Sequence, residues 1–165
     1  MTKDGNICWY EDENLAIFFD TMPCVAVRYI TPTMTELEKF SVKQRPFICK
    51  KNLNVALYDK NKPKMYKLTI PKGYCYDGAS IPRIFWRVIG ANTDNTFLIP
   101  ALIHDTLCEN KNYIDYDREF STNVFNALLS AGDVGKFKRF FMKNSVGLFQ
   151  TLFCDWGLKW DKEGA

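Results

Sequence analysis

Two short stretches of this 165-residue chain carry side chains able to do chemistry. One is Tyr76-Asp77-Gly78-Ala79-Ser80-Ile81-Pro82; the other is His104-Asp105, set in the apolar run TFLIPALIHDTLC from Thr96 to Cys108. A glycine beside an acid in a proline-bounded loop can present carbonyl oxygens and a carboxylate together, the ligands that a hard cation such as calcium takes. Adjacent helical side chains diverge by about 100°, so one of His104 and Asp105 can face a reacting group while the other faces a metal. A histidine that activates water, next to a carboxylate that holds a Lewis-acid cation, is a workable hydrolytic arrangement. Plainer readings stay open. Asp77 can hydrogen-bond its own loop, Ser80 can cap a short helix beginning near Ile81 or Pro82, and His104 can be a satisfied core histidine with Asp105 its exposed neighbour. A triad of Ser80, His104 and Asp77 can be written, but the G-x-S-x-G elbow that such a nucleophile uses is missing.

The elements that must position these residues divide the chain in two. The first half reads as strand: Cys24–Ile30 is apolar and β-branched, and Asn54–Asp59 and Met65–Ile70 alternate around the turn Asp59-Lys60-Asn61-Lys62-Pro63, which predicts a hairpin. The second half reads as helix. Phe97, Ala101, His104 and Cys108 share one stripe of a helix over Thr96–Cys108, with Pro100 fitting only near its first turn. A second helix runs over Asp117–Ala131, with Asp117 as N-cap and Gly132 just past the end. A third covers Val134–Gln150. Strands first and helices later predict an α+β fold: an antiparallel β region (1–71) followed by a bundle of about three helices (72–165), in one domain.

Composition narrows the function classes. A single histidine excludes centres built on several histidine ligands. Cys8, Cys24, Cys49, Cys75, Cys108 and Cys154 are scattered with no C-x-x-C pair, which argues against structural zinc and for reduced thiols. Met1 is followed by Lys3, Asp4 and Asn6 rather than an apolar run, and no stretch is long and apolar enough to span a bilayer, so neither a signal peptide nor a membrane span is expected. The net charge of +3 is far from that of an obligate nucleic-acid binder. Basic residues do gather between 39 and 67, including Lys50, Lys51, Lys60, Lys62 and Lys64. They read either as a solvated sheet face or as a docking surface for phosphate-bearing partners. The helix segment Lys136–Phe149 interleaves lysines with phenylalanines, a pattern that suits an anionic membrane surface or, as the preferred expectation, packing of the phenylalanines into the core.

DGASIP at Asp77–Pro82, the aromatic Phe85-Trp86, HD at His104-Asp105 and the helix led by Arg118 together resemble a family of uncharacterised proteins of tailed phages and prophages. Its pattern is DGASIP, HDxLY and R-x-x-x-D-x-x-F, and the resemblance runs from about Tyr76 to Trp160. It implies an accessory or virion protein acting as an interaction module in the host cytoplasm or virion, with other phage or host proteins as partners. More weakly, the same residues are similar to the core of bacterial and fungal secretory phospholipase A2, with its Asp-Gly-Cys-Ser loop and Cys-x-x-His-Asp helix. That likeness implies calcium bound by Asp77, the Gly78 carbonyl and Asp105, with His104 as the base. The cysteine pair that staples loop to helix in that branch falls here on Ala79 and Ala101. Both patterns also place an aspartate four residues after the helix arginine, where it can orient the histidine. Here that position is Thr122, with Glu119 one turn earlier, and the tyrosine expected four residues after the histidine is Cys108. A threonine cannot stabilise an imidazolium by charge, so weak or absent turnover is implied. The alternatives are a calcium-dependent lipid or ester hydrolase centred on His104, and a basic-surface binder of nucleic acid or a host factor.

Overall fold

A computed structural model describes residues 5–78, 95–111 and 113–153, with side chains as far as Gly147. Its strands are β1 (Ile7–Glu11), β2 (Leu15–Phe19), β3 (Val25–Val27), β4 (Phe47–Cys49), β5 (Leu53–Asp59), β6 (Lys64–Ile70) and β7 (Cys75–Tyr76). Its helices are α1 (Glu36–Gln44), α2 (Asn95–Asn110), α3 (Arg118–Ala131) and α4 (Lys136–Phe153). The architecture is α+β: antiparallel sheets first, with three of these four helices in the C-terminal part.

The larger sheet has the order β1-β2-β5-β6. Its register follows from alternation, because successive strand residues face opposite sides. Leu53, Val55 and Leu57 of β5 and Tyr66, Leu68 and Ile70 of β6 are buried, while Asn54, Met65, Lys67 and Thr69 between them are exposed. The hairpin turn forms as expected. Asp59 Oδ1 accepts from the backbone N–H groups of Asn61 (2.9 Å) and Lys62 (3.3 Å), so this buried acid is satisfied by the turn it initiates. The smaller sheet has the order β3-β4-β7. Here β3 is shorter than the apolar run Cys24–Ile30 suggested. Its partner β4 begins only at Phe47, after Pro46, and the ladder ends with Arg28 N–H donating to Pro46 O at 2.7 Å.

The helix α3 matches its expected bounds to a residue: Asp117 caps it by accepting from Phe120 N–H, and Gly132 closes it. By contrast α2 begins at Asn95, which places Pro100 inside it rather than in its first turn. The ring removes the donor that would reach the Thr96 carbonyl. At this end Gly132 lies so close that a Cβ there would sit 2.8 Å from Thr96 Cγ2, so helix packing holds the segment. Meanwhile α4 starts two residues later than expected, after Asp133 makes a left-handed turn (φ 56°). One buried apolar cluster joins the faces of both sheets to α2, α3 and α4.

Candidate functional site

The acidic loop is delivered by the small sheet. Tyr76 on β7 is buried, with its ring 5.6 Å from Phe47 on β4 and its hydroxyl donating to the Leu98 carbonyl of α2 at 3.1 Å. This anchors the strand end against the helix and sets Asp77 and Gly78 just beyond it. Gly78 has φ +86°, and a Cβ there would lie 2.7 Å from Phe47 Cε2. Both the left-handed backbone and the close approach to Phe47 call for glycine.

Opposite the loop, α2 is buried over most of its circumference, through Phe97, Leu98, Ala101, Leu102, Ile103 and Leu107. His104 is buried among these, with its ring centroid 5.2 Å from that of Phe125 on α3 and Cys108 Sγ 3.7 Å from its Nε2. Asp105 Oδ1 lies 3.7 Å from His104 Nδ1, within ion-pair range. Burial nevertheless decides the charge states. Loss of hydration lowers the His104 pKa to about 4, against an opposing pull from the Asp77 carboxylate, so the imidazole is neutral at pH 7. Burial first, then the charge of Asp77 and a side-chain hydrogen bond with it, push Asp105 well above the usual carboxylate range. The contact is therefore not a charged histidine–aspartate pair but a neutral imidazole beside an Asp105 carboxyl whose charged form burial disfavours.

The structure thus brings together Asp77, Gly78, His104 and Asp105, and it adds two residues that sequence reasoning missed. Arg45, just past α1, donates from Nη1 to the Cys75 carbonyl (3.2 Å) and pairs through Nη2 with Glu109 Oε1 (3.2 Å). Arg45 pulls the Asp105 pKa down and Glu109 pushes it up. The position of Glu109, four residues after Asp105 on one helix face, was a readable signal; Arg45 reaches the site only through tertiary folding.

Thr122 is buried on α3, one turn before Phe125, and its hydroxyl donates to the Arg118 carbonyl at 2.9 Å. With Arg118, Glu119 and Lys143 it also lines an open depression of about 460 Å3 between α3 and α4. Arg118 and Glu119 are exposed in the first turn of α3. Ser80, Pro82 and Trp86 lie outside the described residues, as do Ala79 and Cys154. The other five cysteines are free thiols. Of the basic residues, Lys50 and Lys51 are exposed, whereas Lys60, Lys62 and Lys64 pair with Glu11 (2.9 Å), Asp117 (2.7 Å) and Asp115 (3.0 Å).

Among the described residues no three His, Cys, Asp or Glu side chains converge on one metal position. A cation at Asp77 and Asp105 would complete its shell with main-chain oxygens, as calcium readily does. The donor set fits that ion: it is all oxygen, and Asp105 Oδ2 is buried without a hydrogen-bond partner. A family model described as "Protein of unknown function (DUF1353)" matches residues 53–146, more than half of the chain. The chain belongs to the DUF1353 family. The DUF1353 match runs from β5 into α4 and contains Asp77, His104, Asp105 and Thr122. An "Uncharacterized protein y4jT" of Sinorhizobium fredii (strain NBRC 101917 / NGR234) is 40% identical over 55 residues, or 33% of this chain and 16% of that protein. The chain therefore corresponds to a small part of that relative's length. No solved structure matches it. No helix among the described residues is long and apolar enough to cross a membrane.

Proposed function

We propose that this DUF1353 chain is a calcium-responsive interaction module of a tailed phage or prophage, with little or no turnover. Asp77, the Gly78 carbonyl and Asp105 hold the ion and His104 stands beside them. The observation that carries the reading is the Asp105 carboxyl, with Oδ2 buried and unpartnered, Oδ1 3.7 Å from the His104 Nδ1, and the charge of exposed Asp77 close enough to raise its pKa. Holding two acids together against their mutual repulsion is unfavourable unless a proton or a cation occupies the space between them. Bound there, calcium would supply Lewis-acid polarisation of an oxygen ligand. The phage setting rests on the DGASIP and HD resemblance. Low turnover rests on Thr122, whose hydroxyl cannot balance the charge of an imidazolium.

A calcium-dependent lipid or ester hydrolase is the second reading, favoured by the neutral state of His104, which is the form a general base needs. Binding of nucleic acid or a host factor through the 39–67 lysines draws less support, because Lys60, Lys62 and Lys64 already have carboxylate partners.

Calcium titration by calorimetry and thermal melting tests the proposal. A ligand at a hundred times its Kd adds about 2.7 kcal/mol of stability, so wild type should show heat and a rise in Tm. The calcium-induced increment should vanish in Asp77→Asn and Asp105→Asn. No heat and no rise in wild type sinks the proposal. Ester hydrolysis by wild type that disappears in His104→Gln would select the second reading.

A further inference from the structure

The N-terminal half of α4 leaves Phe137 and Phe140 uncovered, against the expectation that its phenylalanines pack inward, while Phe141 packs partly against the core. Met142, Ser145 and Val146 form the buried stripe of this helix. Phe137 and Phe140 are 66% and 65% exposed on the opposite side, joined by the rings of Phe141 at 4.8 and 5.8 Å. Helical spacing of 100° per residue puts Lys136 and Lys143 on one flank of the Phe140 ridge and Phe137 with Asn144 on the other. Lys136, Lys138 and Lys143 are exposed, while Arg139 is half-buried and its charge reaches Tyr10. The helix carries four basic residues and no acid between Lys136 and Phe153; the nearest preceding acid is Asp133.

We propose that this face of α4 docks on an anionic lipid bilayer, with Phe137 and Phe140 entering the headgroup–acyl boundary and Lys136 and Lys143 meeting lipid phosphates. Two features favour a bilayer over a protein or nucleic-acid partner. Phe137 and Phe140 project from the helix with about two-thirds of their surface exposed, and an apolar slab takes up such side chains without a matching pocket. Lys136 and Lys143 lie beside Phe140 on the same exposed surface, a basic and aromatic arrangement found in helices that rest in the interface plane. The surface is separate from the Asp77–Asp105 centre, so its docking needs neither calcium nor His104.

Vesicle co-sedimentation of the full chain, in chelator, tests this. Vesicles of phosphatidylcholine with about one-third phosphatidylglycerol should bind at least tenfold more tightly than pure phosphatidylcholine, since each surface lysine contributes roughly a fivefold factor. Phe137→Ser with Phe140→Ser should weaken binding to the anionic vesicles by tenfold or more, and Lys136→Gln with Lys143→Gln by a similar factor that shrinks at high salt. Both pairs are exposed, so unchanged melting curves verify that the variants fold; Asp105→Asn should bind vesicles as wild type does. No binding to anionic vesicles, equal binding to both compositions, or salt-sensitive retention on DNA without vesicle binding would each overturn the proposal.

Discussion

Replacing His104 by glutamine should flatten the acid limb of the stability curve. Burial depresses the His104 pKa from 6.5 to about 4. A group whose folded pKa lies below its unfolded value contributes stability that is present above the unfolded pKa and is lost as pH falls through the folded one. For His104 the loss begins near pH 6.5 and is complete only below pH 4. From these two values, linkage gives a loss of about 2 kcal/mol between pH 7.5 and pH 5.0. In a domain of this size that equals a Tm change of about 4–8 °C. Asp105 works in the opposite direction. Its raised pKa makes a stabilising contribution that is present at low pH and lost as pH rises through the folded value, so wild type alone shows only a sum. Comparing wild type with His104→Gln at both pH values isolates the histidine, because Asp105 is common to both chains. The assay is thermal or urea unfolding followed by tryptophan fluorescence. Wild type should lose about 2 kcal/mol more than the variant. Parallel losses would refute the reasoning and mean that the imidazole stays hydrated or meets a compensating carboxylate.

Gly78→Ala should destabilise the chain by about 2–4 kcal/mol, combining left-handed backbone strain with displacement of Phe47; a Tm within 1 °C of wild type would count against that close approach. Asp117→Ala should cost about 1 kcal/mol through loss of the α3 cap. The exposed Lys62 pair should contribute little of this, so Lys62→Ala should leave Tm nearly unchanged.

The parts of the fold that were legible in the sequence are those specified locally. The β5–β6 hairpin follows from alternation and its Asp59 turn, and α3 from Asp117 and Gly132. The helix α1 was not foreseen, although Thr35 and Glu38 form a reciprocal capping box. It is short and exposes Leu37 and Phe40, so no apolar stripe announces it. Strands β1 and β2 were also not picked out; β2 is buried at Leu15, Ala16, Ile17 and Phe19, so it lacks alternation. In the site, Asp77, His104 and Asp105 could be nominated from residue type and adjacency. Whether the imidazole is charged depends on what buries it, Phe125 among others, and Arg45 arrives from a segment 60 residues away from Asp105. Neither fact is written in local spacing.

The join between the small sheet and α2 has a mechanical consequence. The contacts from the Tyr76 hydroxyl to Leu98 and from Arg45 to Glu109 cross it, alongside the buried apolar cluster in which Phe47 and Tyr76 meet Phe97 and Leu98. The small sheet is held to itself by only three strands of two or three residues. With so short a ladder, the small sheet keeps its place through what it packs against rather than through its own hydrogen bonds. Amide exchange along β4 and β7 is the gauge of that hold.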